Sequence, residues 1–338
     1  MKTRLLSICL VAILLFSMTS CDLFGSKKQE QNPQDLTINV YTLNGTTGFG
    51  MAKLMNDAKN EKTTQKYNFS VQSDASMVTS ALLSGSADIA ALPTNAAANI
   101  YNKSEGGVVV LAVNTLGCLY LLTNQNETIK SFEDLRGKTV YVPAQNPTFI
   151  FSYLCKQNGL EVGKDITINS STYAQPAALK DAVASGLVDI AVLPEPMVTI
   201  AVNTAKNSES QTVLTTAMDL TAEWNKVAPA GSLVQGCVVV RRAFLEEHPE
   251  AVENFLKEYK ASIEYLSTDI DSASQMIVDN GIFTNAGVAK KALPNCNVCF
   301  LDGAAMKSAM ETYLGILYGI APASVGGKLP EDNFYYAK

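Results

Sequence analysis

ALLSGSADIAALP, running from Ala81 to Pro93, returns further along the chain as AVASGLVDIAVLP, Ala182 to Pro194. Ala81, Ser84, Gly85, Asp88, Ile89, Ala90, Leu92 and Pro93 match Ala182, Ser185, Gly186, Asp189, Ile190, Ala191, Leu193 and Pro194 at a constant offset of 101 residues. Each copy reads the same way. A helix stops at a glycine, where the chain needs a left-handed residue. An aspartate then precedes a short apolar run, IAAL or IAVL, with the character of a buried strand. Pro93 or Pro194 ends that strand and can open the next helix.

A second pair lies upstream of the first. NVYTLNGTTGFGMAKLM (Asn39–Met55) aligns with TVYVPAQNPTFIFSYLC (Thr139–Cys155), so that Val40, Tyr41, Phe49 and Leu54 match Val140, Tyr141, Phe149 and Leu154 at an offset of 100. Val40 and Val140 sit in β-prone runs, and apolar residues at helical spacing follow each loop. The chain therefore contains one strand–loop–helix…helix–strand unit twice. Alternating strands and helices predict an α/β fold of two lobes, each a mostly parallel sheet flanked by helices. Ligands of such sheets bind at the carboxyl ends of the strands, where both loops and both Leu-Pro turns fall. Residues 36–116 and 238–338 are expected to form lobe one and residues 117–237 lobe two. Gly117–Cys118 and Gly236–Cys237 then mark two crossings, which side by side make a hinge.

The loop NGTTGFG is not a nucleotide site. It has no Gly-Lys-Ser/Thr for a Walker loop, and Gly45, Gly48 and Gly50 give the wrong order for the dinucleotide fingerprint. A loop feeding a helix start still offers free N–H groups to a ligand, and a plain strand-to-helix connection is the alternative.

The N-terminus reads as a targeting segment. Lys2 and Arg4 precede the apolar LLSICLVAILLF (Leu5–Phe16), which is short for an anchor and suits a signal peptide over residues 1–20. Small residues directly before Cys21 resemble a lipobox, with Met18 where leucine is more usual, so cleavage before Cys21 and lipidation of its thiol are expected. Residues 21–35 lack apolar periodicity and read as a flexible tether. The formal net charge of -6, more negative once Lys2 and Arg4 are removed, is not arranged in blocks and argues against nucleic acid as a partner. Beyond Thr37 no apolar run is long enough to span a bilayer.

Past the signal and Cys21, five cysteines remain, too few for a disulfide framework in a chain this long. Cys296 and Cys299 have the spacing of half a zinc site, but no second pair exists and His248 is the sole histidine, so neither metal nor cofactor is expected. HPEAVENFLKEYKASIEYL reads as a structural helix with Val252, Phe255, Leu256, Tyr259 and Ile263 on one face, and DGAAMKSAMETYLGILYG as a second packing helix. Phe334 and Tyr335 are expected to pin an irregular C-terminal segment.

The lipobox, SGSADIAALP, FEDLRGKTVYV (Phe132–Val142), SGLVDIAVLPEP and FLEEHPEAVENFL, in this order, resemble the solute-binding proteins of bacterial ABC importers. The nearest group is the nitrate/sulfonate/taurine and thiamine-pyrimidine binding family. The resemblance implies a type II periplasmic-binding-protein fold, a ligand held between the lobes without chemistry, and delivery to a membrane permease by a monomer. It also implies an extracytoplasmic, membrane-anchored lipoprotein. Carried over by position, one jaw comprises Asn44, Thr46, Thr47, Phe49, Asp74, Ser76, Thr94 and Asn95. The other comprises Gln145, Asn146, Thr148, Phe149, Tyr173, Gln175 and Glu195. These loops carry no Lys or Arg, and Glu195 opposes an anion, so a small polar or heterocyclic, neutral or weakly basic metabolite is the preferred ligand. A sulfonate/taurine-type anion seated against helix N-termini is one alternative. A sensor lipoprotein without a permease is another. A pyrimidine-synthesis-like enzyme is the third, disfavoured by the absence of a nucleophile–base pair in the loops.

Overall fold

The computed structural model describes residues 36–207 and 212–337. The signal peptide, the tether and Cys21 lie outside the described residues. Among the described residues eleven strands form two sheets. The first contains β1 (Thr37–Leu43), β2 (Lys66–Gln72), β3 (Ile89–Pro93), β4 (Val108–Leu116), β10 (Val234–Arg241) and β11 (Val298–Leu301), in the order β11-β4-β10-β3-β1-β2. The second contains β5 (Leu119–Thr123), β6 (Thr139–Tyr141), β7 (Thr167–Asn169), β8 (Ile190–Pro194) and β9 (Thr215–Asp219), in the order β7-β6-β8-β5-β9.

The duplication is visible residue by residue. β3 and β8 share one burial pattern, four buried residues followed by a half-buried proline. Tyr41 pairs in parallel with Ala90 and Tyr141 with Ala191, the same contact in each copy. Gly85 and Gly186 both have φ of 79°, the left-handed conformation that the sequence requires there. Asp88 ties its sheet together: its carboxylate accepts from the Asn39 N–H at 2.9 Å and from Arg241 Nη2 at 2.8 Å. Asp189 accepts instead from Asn124 Nδ2 at 2.5 Å.

Both sheets are mixed in pairing. β10 runs antiparallel between β3 and β4, and β5 runs antiparallel between β8 and β9. In each sheet a strand entered from the other sheet runs antiparallel between two neighbours, and β11 is antiparallel to β4 at the edge of the first, which is why local alternation of strand and helix predicts a more parallel sheet than forms. The chain enters β10 at Val234, so Gly236–Cys237 lies inside that strand rather than ahead of it.

One apolar cluster takes in residues of both sheets, from Leu92 and Val110 to Val140 and Phe151. The last long helix, Gly303–Ile320, drives Met310, Tyr313 and Leu317 into it, and Tyr313 lies 5.9 Å from the Trp224 ring. Helix Pro249–Thr268 buries Val252, Phe255, Leu256, Tyr259 and Ile263 as the sequence predicts. His248 precedes it and packs its ring 5.0 Å from Phe244. Phe334 and Tyr335 are buried. The five described cysteines are free thiols. No described helix is long and apolar enough to cross a membrane.

Candidate functional site

A cavity of about 320 Å³ opens at the carboxyl ends of β1, β3 and β8, at the lower end of the range for small-molecule sites. Asn44, Thr46 and Thr47 line it from one side, and Asn146, Glu195 and Met197 from the other. Cys118 and Gln235, from the two connections between the sheets, also line it. A larger groove of about 690 Å³ lies between helix Asn146–Gln157 and helix Gly303–Ile320, but it contains none of the expected jaw residues.

The first jaw depends on glycine. Gly45 has φ of 78° and sends its N–H to the Ile282 carbonyl at 3.0 Å, while Asn44 N–H reaches the Gln72 carbonyl at 2.9 Å. Gly48 lies so close to the end of β1 that a Cβ there would sit 2.1 Å from the Leu43 carbonyl oxygen. The packing leaves a single helical turn, Thr46–Phe49, before helix Ala52–Lys59 begins. A four-residue turn is a weaker donor array than the longer helix expected. In the second jaw, Pro147 removes one N–H from the first turn of helix Asn146–Gln157. The two helix starts therefore offer fewer free backbone N–H groups than the sequence suggests.

The two jaws touch. Thr46 Oγ1 donates to the Glu195 carbonyl at 2.8 Å, with Cys296 Sγ 3.6 Å away. Tyr120 OH donates to the Asn295 carbonyl at 2.9 Å, and the Asn295 side chain reaches the Glu195 carboxylate. That carboxylate also accepts from Thr199 N–H at 3.1 Å and Thr199 Oγ1 at 3.0 Å, so it serves the first turn of helix Met197–Asn207. Burial raises the pKa of Glu195, and the Thr199 and Asn295 bonds oppose that rise. Burial and the nearby Glu195 push the Cys118 thiol up to about 12. It is protonated at neutral pH and a poor nucleophile.

Several expected residues stand elsewhere. Phe49 is fully buried, edge-on to Phe283 at 6.0 Å, and Phe149 packs against the shared core. Asp74 is an exposed cap that accepts from Ser76 N–H at 2.7 Å, a bond that holds its carboxyl below the ordinary range. Thr94 is fully buried beside the Cys237 thiol, and Asn95 turns to the Ser324 carbonyl at 3.4 Å. Thr148 donates to the Pro143 carbonyl at 2.8 Å, and Tyr173 packs on Tyr141 at 5.8 Å. Gln145 and Gln175 are exposed at the starts of their helices, where Asn146 and Pro176 face the cavity instead. Thr115, Cys118, Gln235 and Phe283 line the cavity without having been expected.

No curated protein matches this sequence. Solved structures share the fold. An ABC transporter from Parabacteroides distasonis is 22% identical with a TM-score of 0.73, covering 90% of this chain and 100% of its own. The periplasmic aliphatic sulphonate binding protein of Escherichia coli is 16% identical with a TM-score of 0.69, covering 88% of this chain and 96% of its own. The periplasmic nitrate-binding protein of Synechocystis PCC 6803 is 15% identical with a TM-score of 0.60, covering 87% of this chain and 84% of its own. The profile of one sequence family spans residues 51–282, from the first jaw's helix through both crossings. By that match the chain belongs to the ABC transporter phosphonate periplasmic substrate-binding proteins, and is a substrate-binding component of an ABC importer.

Proposed function

We propose that the protein captures a small, polar, uncharged or weakly basic metabolite between its jaws, a heterocycle being the best fit, and hands it to a membrane permease. The observation that carries this reading is the charge of the cavity wall. No Lys or Arg lines it, and Glu195 is buried in it with its pKa raised by desolvation. An anion placed there would add a second negative charge to a desolvated region, which is unfavourable. A carbonyl, ring nitrogen or amine can instead meet Asn44, Thr47, Asn146 and Gln235. The protein acts by binding alone, as a monomer.

Native mass spectrometry of the freshly purified chain tests this reading. A small-molecule adduct is expected, displaced by none of methylphosphonate, taurine and nitrate. Displacement by any of the three, or saturable binding of it, would establish an anion site in place of the one proposed.

Anchoring through lipid on Cys21 completes the proposal, on the strength of the MTSC junction. Metabolic labelling with palmitate should tag the wild type and not Cys21→Ala. Equal tagging of both would refute it.

A further inference from the structure

Gln235 sits where β10 carries one residue more than β4. Val234 faces Leu116 and Gly236 faces Thr115, so Gln235 has no cross-strand partner. A bulge of this kind re-aims a side chain. Gly236 makes it possible: a Cβ there would lie 2.6 Å from Asn114 Oδ1 and 3.1 Å from Thr115 Cβ. The side chain of Gln235 then spans the hinge and accepts from the Cys118 N–H at 2.8 Å.

That bond fixes the polarity of the amide. A backbone N–H can only donate, so the atom facing Cys118 is Oε1 and the atom turned away is Nε2. Gln235 lines the cavity, and among the described residues no protein acceptor meets Nε2. Asn146 shows the same arrangement from the opposite wall, where Tyr313 OH donates to its Oδ1 at 3.0 Å. Each amide has its oxygen occupied by the protein and its NH2 group left over. Meanwhile the Thr46 hydroxyl is engaged by the Glu195 carbonyl and cannot supply a third donor.

We infer that Gln235 is a specificity residue: its Nε2 donates to an uncharged acceptor on the bound molecule, a carbonyl oxygen or an unprotonated ring nitrogen. The inference rests on the proposed capture function and narrows its ligand class. It also places this contact on the pivot. The hinge moves least when the jaws part, so the acceptor is met before Asn146 closes over it.

Gln235→Glu is the discriminating variant. A glutamate keeps an oxygen for the Cys118 N–H but puts an acceptor where the donor stood. Gln235→Met fills a similar volume with neither polar atom. Wild type and variants would be titrated with an ultrafiltered small-molecule extract of bacterial cells, with occupancy read by native mass spectrometry and folding by thermal melting. Gln235→Glu is expected to melt like wild type and to hold the captured mass roughly tenfold or more weakly. Gln235→Met is expected to lose a comparable factor, so the result stands even if the glutamate variant folds poorly. Wild-type occupancy in either well-folded variant overturns the inference and leaves the capture function standing. Absence of any captured mass from wild type and variants alike overturns both.

Discussion

Gly48→Ala should unfold the first jaw. The added Cβ would fall 2.1 Å from the Leu43 carbonyl oxygen and 2.8 Å from Ile282 Cγ2, and the first of these is backbone that cannot rotate away. Relief requires moving the end of β1 or the turn itself, and the turn carries Thr46 and Thr47 to the cavity. We expect a loss of about 3 kcal/mol in urea denaturation, the upper end for overpacking, together with loss of the captured mass. Gly45→Ala would instead strain a residue at φ of 78° and ψ of -156°, a region essentially reserved for glycine, with Pro196 Cδ 4.0 Å from the added Cβ, at a cost of roughly 2 kcal/mol. Equal stability of Gly48→Ala and wild type would mean that the jaw is not built on this close approach.

Asp88→Ala should have the second large effect, far from the cavity. It removes the partner of Arg241 and the acceptor of the Asn39 N–H at once. Arg241 retains about a quarter of its side-chain exposure, so water recovers part of the loss. We expect roughly 2–3 kcal/mol, below the value for a fully buried pair. Asp88→Asn, which can still accept from Asn39, should lose less. A loss of under about 0.5 kcal/mol in Asp88→Ala would show that Asp88 marks the repeat without supporting it.

These two residues illustrate what a repeat makes legible. Asp88 and Asp189, Gly85 and Gly186, and the strands that follow them occupy equivalent places because local chemistry fixes each: a left-handed turn, a carboxylate at a strand start, a proline at its end. Glu195, Thr46, Thr47, Asn44 and Asn146 could be placed at the cavity because both loops fall at the same end of their sheets. Phe49 could not be separated from the site by spacing alone. It stands at the right loop, but its ring turns inward onto Phe283. Asp74 and Gln175 stand at the right helix starts; the capping bond to Ser76 N–H keeps Asp74 at the surface, and Gln175 is exposed without capping its helix.

Non-local contacts hid the rest. Nothing in the run LVQGCVVV says that β10 will lie between β3 and β4. The one signal was a lone polar residue, Gln235, directly before a glycine in an apolar strand, the pattern of a bulge. The role of Glu195 was likewise only half visible. The Glu-Pro turn announced a carboxylate at the cleft. That Thr199 and Asn295 already hold it follows from a helix start and a distant loop meeting in space.

Under the proposed function, two duplicated halves part on one side and close on a small molecule. Small-angle X-ray scattering follows that motion directly, as the purified chain is stripped of its captured mass and then resaturated with it. The radius of gyration should fall on resaturation, and the fall should be lost in Gly48→Ala. A radius that stays constant from the stripped to the saturated protein would contradict closure of the jaws, and with it the assignment of the cavity.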